Sequence, residues 1–130
     1  MRTLALPAAL LLVTGHAALA ESEPAQVWRI LEIAGVPAAD EAFLAVDADG
    51  NASGSSGCNR FQAAVSQSGA ALAFGPVAAT RMACPPGLAE QEDALLRLLG
   101  GELAVTYHLL RDQVTLMGAD GTSLVMQRED

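Results

Sequence analysis

The chain has 130 residues, 52% hydrophobic and only 4% aromatic, with a formal charge of −8 at pH 7. Past residue 20 it carries six Arg, no Lys and 15 Asp plus Glu, so no basic patch is available to neutralise phosphates; this excludes nucleic-acid binding and disfavours attraction to anionic membranes. The length suits one domain burying roughly two-thirds of its unfolded surface, and no shift in composition marks a second.

Residues 1–20 have the form of a cleaved signal peptide. Met1-Arg2 is a short positive start, Leu4 to Val13 an apolar run, and Ala18-Leu19-Ala20 a small-residue cleavage site. The run has about half of the ~20 apolar residues a membrane-spanning helix needs, and nothing later approaches that length. A lipoprotein start would place a cysteine just past the cleavage point, whereas the first cysteine is Cys58. The expectation is an exported monomer, periplasmic or secreted and not membrane-spanning, with residues 21–130 as its single domain.

Gln26 to Ile33 is rich in β-formers and alternates loosely, which predicts an opening strand. Gly35 to Asp40 reads as a loop and Ala42 to Val46 as a second strand. The Asp49-Gly50 step then predicts a hairpin turn, because both residue types tolerate positive φ. Ala52 to Gly57 is small and polar, suited to a strand or bulge where backbones approach closely. Phe61 to Val65 and Ala71 to Phe74 flank a turn at Gln67-Ser68-Gly69, and Gly75-Pro76 breaks the chain.

Leu88 to Leu99 predicts a helix, entered from Pro85-Pro86-Gly87 and stopped by Gly100-Gly101. Glu90, Glu92 and Asp93 near its start and Arg97 near its end are placed to complement the helix dipole. At 100° per residue, Leu88, Leu95 and Leu99 fall within about 20° of one direction, and Leu96 and Leu98 widen that stripe. Beyond the helix, Leu103, Val105, Tyr107 and Leu109 alternate with polar or small residues as a strand. Arg111-Asp112 turns it, Val114 to Met117 returns, and Ser123 to Met126 follows the Asp120-Gly121 turn. Short strands, tight turns and one helix indicate a mainly antiparallel β fold.

The only two cysteines, Cys58 and Cys84, are separated by 25 residues. In an exported chain an even count favours a disulfide; a redox-active pair is the alternative, without its usual Cys-X-X-Cys spacing. The strings around them carry a resemblance. Gly57-Cys58-Asn59-Arg60-Phe61, Leu72-Ala73-Phe74-Gly75-Pro76, Thr80-Arg81-Met82-Ala83-Cys84-Pro85 and Gln91-Glu92 follow in that order. Trp28 and Leu31, Asp49-Gly50 and Gly54 precede or interleave them, and Leu99, Leu116 and Asp120-Gly121 close the series. This order resembles the META domain family, which includes the heat-inducible HslJ-type proteins, from Trp28 to about Met126. The resemblance implies a compact antiparallel β-barrel, lipocalin-like in outline, with one packed helix. It also implies a role in envelope stress, heat response or antibiotic tolerance, with no established catalysis. Two departures stand out: Gln62-Ala63-Ala64-Val65 lacks the Gly and aromatic that relatives often carry there, and the lipoprotein cysteine of some members is missing.

No catalytic, cofactor or metal site is expected. His108, the only histidine past the leader, lies on the polar phase of its strand, where it would face water. Gly54-Ser55-Ser56-Gly57 lacks the spacing of a nucleophile elbow, and two cysteines with one distant histidine make no zinc site. Asp47 to Asn51 has neither the glycine nor the closing carboxylate of a calcium loop. Glu90 and Glu92, two apart on a helix, face different ways and form no acid–base pair. The function expected is non-enzymatic, through an envelope protein or a small apolar ligand as partner; an inhibitor or accessory subunit of a periplasmic enzyme is the alternative.

Glu92 falls about 40° from the centre of the helix stripe, where a carboxylate needs a partner. The resemblance places Asn59, Arg60, Thr80 and Arg81 beside the cysteines, within reach of the helix start. Glu92 is therefore expected either to accept hydrogen bonds from Arg81, Arg60, Asn59 or backbone N–H groups, or to lean out into water.

Overall fold

The computed structural model describes residues 25–39 and 41–129; the signal peptide expected over residues 1–20 lies outside them. Among the described residues, ten strands and one α-helix follow in chain order: β1 (Gln26–Ile33), β2 (Val36–Pro37), β3 (Phe43–Val46), β4 (Asn51–Ser55), β5 (Arg60–Ser68), β6 (Ala71–Phe74) and β7 (Ala78–Ala79), then α1 (Pro86–Leu99), β8 (Glu102–His108), β9 (Gln113–Met117) and β10 (Ser123–Glu129). Eight strands form a closed ring in the order β1-β3-β4-β5-β6-β8-β9-β10, and β10 pairs back onto β1, antiparallel throughout. The fold is the mainly β barrel with a packed helix that the sequence indicates.

The two-residue strands share edges with longer ones. β2 continues along β1 where β3 stops, and β7 along β5 where β6 stops. β2 falls inside the stretch read as a loop, and β7 follows the Gly-Pro break; two residues show no periodicity for a sequence pattern to catch. β5 and β10 run longer than their apolar cores because their distal residues still pair, Gln67 with Leu72 and Arg128 with Trp28.

Alternation along the strands sends Trp28 and Ile30, Leu44, Leu116, and Leu124 and Met126 into one buried core. β4 contributes small residues there, Ala52 and Gly54, for a steric reason. Gly54 pairs with Phe61, and a Cβ at position 54 would collide with the Phe43 carbonyl and come within 2.8 Å of the Phe61 ring. The expected close approach is thus real. At the neighbouring turn, Gly50 takes φ +85°, as the Asp-Gly step requires.

α1 lies across one end of the barrel. Gln91 and Ala94 share a cleft with Ile33–Pro37, and Arg97 and Leu98 share another with Glu102, Leu103 and the turn at Gly118–Asp120. Leu95, Leu98 and Leu99 are buried, while Leu88 and Leu96 are half-buried, so the stripe is centred nearer Leu95 than Leu88. Because the helix begins at Pro86, no acidic residue lies in its first turn; Glu90, Glu92 and Asp93 come too late to complement the dipole, and Arg97 alone does so. Leu109 departs from its expected strand: it enters a 3-10 turn, Leu109–Arg111, and is exposed.

Leu95→Ala should cost about 2–5 kcal/mol in urea denaturation, since it opens a cavity beneath the helix. Leu88→Ala should cost about half as much or less; equal costs would mean that the stripe is centred elsewhere.

Candidate functional site

The two ends of the barrel are built differently. At the helix end the sequence-predicted residues form a polar knot. Cys58 and Cys84 are joined in a disulfide with Cα atoms 6.0 Å apart, closing a loop that stabilises by roughly 3 kcal/mol in the chain-entropy model. The Glu92 carboxylate accepts a hydrogen bond from Ser56 Oγ at 2.6 Å and another from Asn59 Nδ2 at 3.0 Å. Asn59, itself buried, accepts through Oδ1 from Thr80 Oγ1 at 2.9 Å and the Met82 N–H at 2.7 Å. Thr80 Oγ1 in turn accepts from the Arg60 N–H at 3.0 Å. Beside Glu92, Gln91 donates to the Ser56 carbonyl at 2.7 Å and accepts from the Ala39 N–H at 3.0 Å.

Of the five residues expected to cluster, Asn59, Thr80 and Glu92 meet through side chains. Arg60 contributes only its backbone, and Arg81 nothing. Both Arg side chains are exposed, and neither bonds to Glu92. Strand phase explains this: Phe61 points inward, so Arg60 points out, and the strap that turns Thr80 and Met82 toward Asn59 leaves Arg81 outside. The expected guanidinium partner is replaced by Ser56, which the sequence reading passed over. Its signal was present, because alternation puts Ala52, Gly54 and Ser56 on one inward phase and Ser56 is the polar member. Among the described residues no buried side-chain nitrogen or oxygen lacks a partner. The knot ties α1 to the β4–β5 corner and to the strap that carries Thr80 and Met82.

His108 is half-buried rather than solvent-facing, with Nε2 3.1 Å from Thr115 Oγ1. Among the described residues, no group of three or more His, Cys, Asp or Glu is placed to hold a metal ion.

The opposite end is open. Trp28 of β1, Leu44 and Val46 of β3 and Leu72 of β6 form one side of a cup of about 300 Å³. Val105 of β8, Val114 and Leu116 of β9 and Met126 of β10 form the other, with Gln26, Asp47, Gln67 and Tyr107 among the remaining lining residues. The mouth lies at the starts of β1, β6 and β9 and the ends of β3, β5, β8 and β10, which antiparallel pairing brings together, with Leu44 and Leu116 buried below it. Tyr107 is 52% exposed, and beyond it the turn carries Leu109 and Leu110 at 83% and 102%. No local sequence signal announces the cup: alternation shows which residues point inward, not whether anything fills the space between them.

Asp47 anchors the β3–β4 turn. Its carboxyl accepts from the N–H groups of Asn51 at 3.0 Å and Asp49 at 2.9 Å, and these bonds, the Asn51 one foremost, hold its pKa below the usual carboxylate range. Asp120 is lowered in the same way, chiefly by the Thr122 N–H.

The META domain family profile matches residues 19–130. A structure determined by NMR superimposes with TM-score 0.65 at 24% identity, covering 78% of this chain and 87% of the other. An NMR structure of a protein from Burkholderia xenovorans gives TM-score 0.61 at 24% identity over 92% of this chain and 99% of that one. At this identity the likeness establishes the fold. No curated protein matches the chain.

Glu92→Gln and Ser56→Ala should each cost about 1–3 kcal/mol. Their double mutant should cost less than the sum, and Arg81→Ala should stay within about 0.5 kcal/mol of the parent. Acid acts on the turns with a definite sign. Asp47 and Asp120 have folded pKa values below their unfolded ones, so their contribution is full above the unfolded pKa and is lost as pH falls through the folded one. NMR titration should find both carboxyls ionising below free aspartate, with Asp47→Ala abolishing one such titration.

Proposed function

The chain belongs to the META domain family, and on that premise we propose that it is an exported, non-enzymatic protein of the cell envelope that serves stress tolerance by binding a small apolar ligand. The observation that carries this reading is the cup. It lies at the low end of the size range of small-molecule sites, is walled by aliphatic and aromatic side chains, and has a few polar groups among them. The mouth of a β-barrel is a usual place for such a site. Export is supported by the leader-like residues 1–20 and by the disulfide, which persists in oxidising compartments. Among the described residues no helix is long and apolar enough to cross a membrane.

A protein partner is the second reading, favoured by Leu109 and Leu110. Two bare leucines on a protruding hairpin suit insertion into a partner's cleft, as an inhibitor or accessory subunit of a periplasmic enzyme would use them.

The sole tryptophan, Trp28, lines the cup and reports occupancy. A neutral apolar probe such as N-phenyl-1-naphthylamine should bind with a change in Trp28 fluorescence, and Val105→Trp, which fills the mouth, should abolish probe binding without unfolding the barrel. Binding unaffected by Val105→Trp, but lost on Leu109→Ser with Leu110→Ser, would move the site to the hairpin.

A further inference from the structure

The lining of the cup is apolar but not uncharged. One lining side chain is charged, the carboxylate of Asp47, and no Lys, Arg or His is among the lining residues. Oδ1 of Asp47 is committed to the turn by two backbone N–H bonds, whereas Oδ2 has only the Asn51 side-chain amide at 3.5 Å. One carboxylate oxygen thus keeps most of its accepting capacity. The two aromatic rings of the lining, Trp28 and Tyr107, attract cations through their faces. Trp28 already holds one: the Arg128 guanidinium lies 5.5 Å from its ring centroid. The whole chain, at −8, draws cations toward it.

Resting on the reading that the cup holds a small apolar ligand, we infer that this ligand is a cationic amphiphile, with an apolar body in the barrel mouth and an ammonium head at Asp47. The volume sets the size of the body. About 300 Å³ is room for roughly ten water-sized groups at ~30 Å³ each, which suits an alkyl chain of about eight carbons or one substituted ring. The head meets Oδ2 of Asp47, and the Trp28 ring that Arg128 now covers belongs to the same lining. Asp47 stays ionised well into acid because the turn N–H groups hold its pKa down.

Three ligands of one chain length separate the contributions: octyltrimethylammonium, octanol and octanoate, each titrated below its aggregation limit against Trp28 fluorescence of the intact protein. The expected order of affinity is ammonium, alcohol, carboxylate, with the ammonium about three- to fivefold tighter than the alcohol, the scale of a partly exposed ion pair, and weakening as salt is added. Asp47→Asn keeps the turn, since its amide oxygen still accepts the two backbone N–H bonds, and should erase the preference while octanol binds as before. Arg128→Gln leaves that turn untouched and should tighten ammonium binding by removing a like charge and baring the ring. Equal affinity for all three heads, or tightest binding of octanoate, overturns the charge inference while leaving the cup as a ligand site. Binding of none of the three removes both. An ammonium preference that survives in Asp47→Asn, or weakens in Arg128→Gln, places the head elsewhere and also overturns it.

Discussion

The ladder between β1 and β10 is the constraint on which the rest depends. Seven hairpin-like pairings would make a twisted sheet with two open edges; the eighth closes it. Closure removes those edges as templates for aggregation, and it divides every strand into an inner and an outer face. It also creates a space with two ends, and the chain treats them differently. One receives a helix with three buried leucines, and the other is left as a shallow cup.

The helix is held by more than its apolar face. A 14-residue helix gains little from propensity in isolation, and the leucine stripe alone would tolerate sliding or rotation. Gln91 and Glu92 remove that freedom. Gln91 bridges the Ser56 carbonyl and the Ala39 N–H, and Glu92 ends on Ser56 and Asn59, the latter held by the disulfide-closed strap through Thr80 and Met82. Neutral donors suffice for the carboxylate because there are two of them at short range. With α1 fixed this way, Leu95, Leu98 and Leu99 fill the barrel end beneath it.

The strands around Trp28, Val105 and Leu116 were legible in the sequence because period-two alternation is a local property that needs no knowledge of partners. So was the helix, from its leucine spacing and its Pro and Gly boundaries. The knot was half legible. Glu92 on an apolar stripe signalled a buried partner, and the motif strings brought Asn59 and Thr80 to it. The choice between Arg81 and Ser56 turned on strand phase at a corner, where one residue of register reverses inside and outside. The cup was not legible at all. Whether Trp28, Leu72 and Val105 meet across the interior depends on strand tilt and stagger around the whole ring, to which no single segment bears witness.

The closing ladder joins the chain's first described strand to its last, and this bears on how the protein is made. Most neighbouring pairs, β3 with β4, β4 with β5, β9 with β10, lie close in sequence and can form as the chain emerges from a ribosome or a translocation channel. The β1–β10 pair cannot form until Glu129 has passed. Until then β1 waits with one whole edge unpaired, and the interior stays open to water. A partial chain of this topology is thus held incomplete by geometry alone. Ring closure, a contact of high sequence separation and so intrinsically slow, is therefore the last of the eight ladders to become possible.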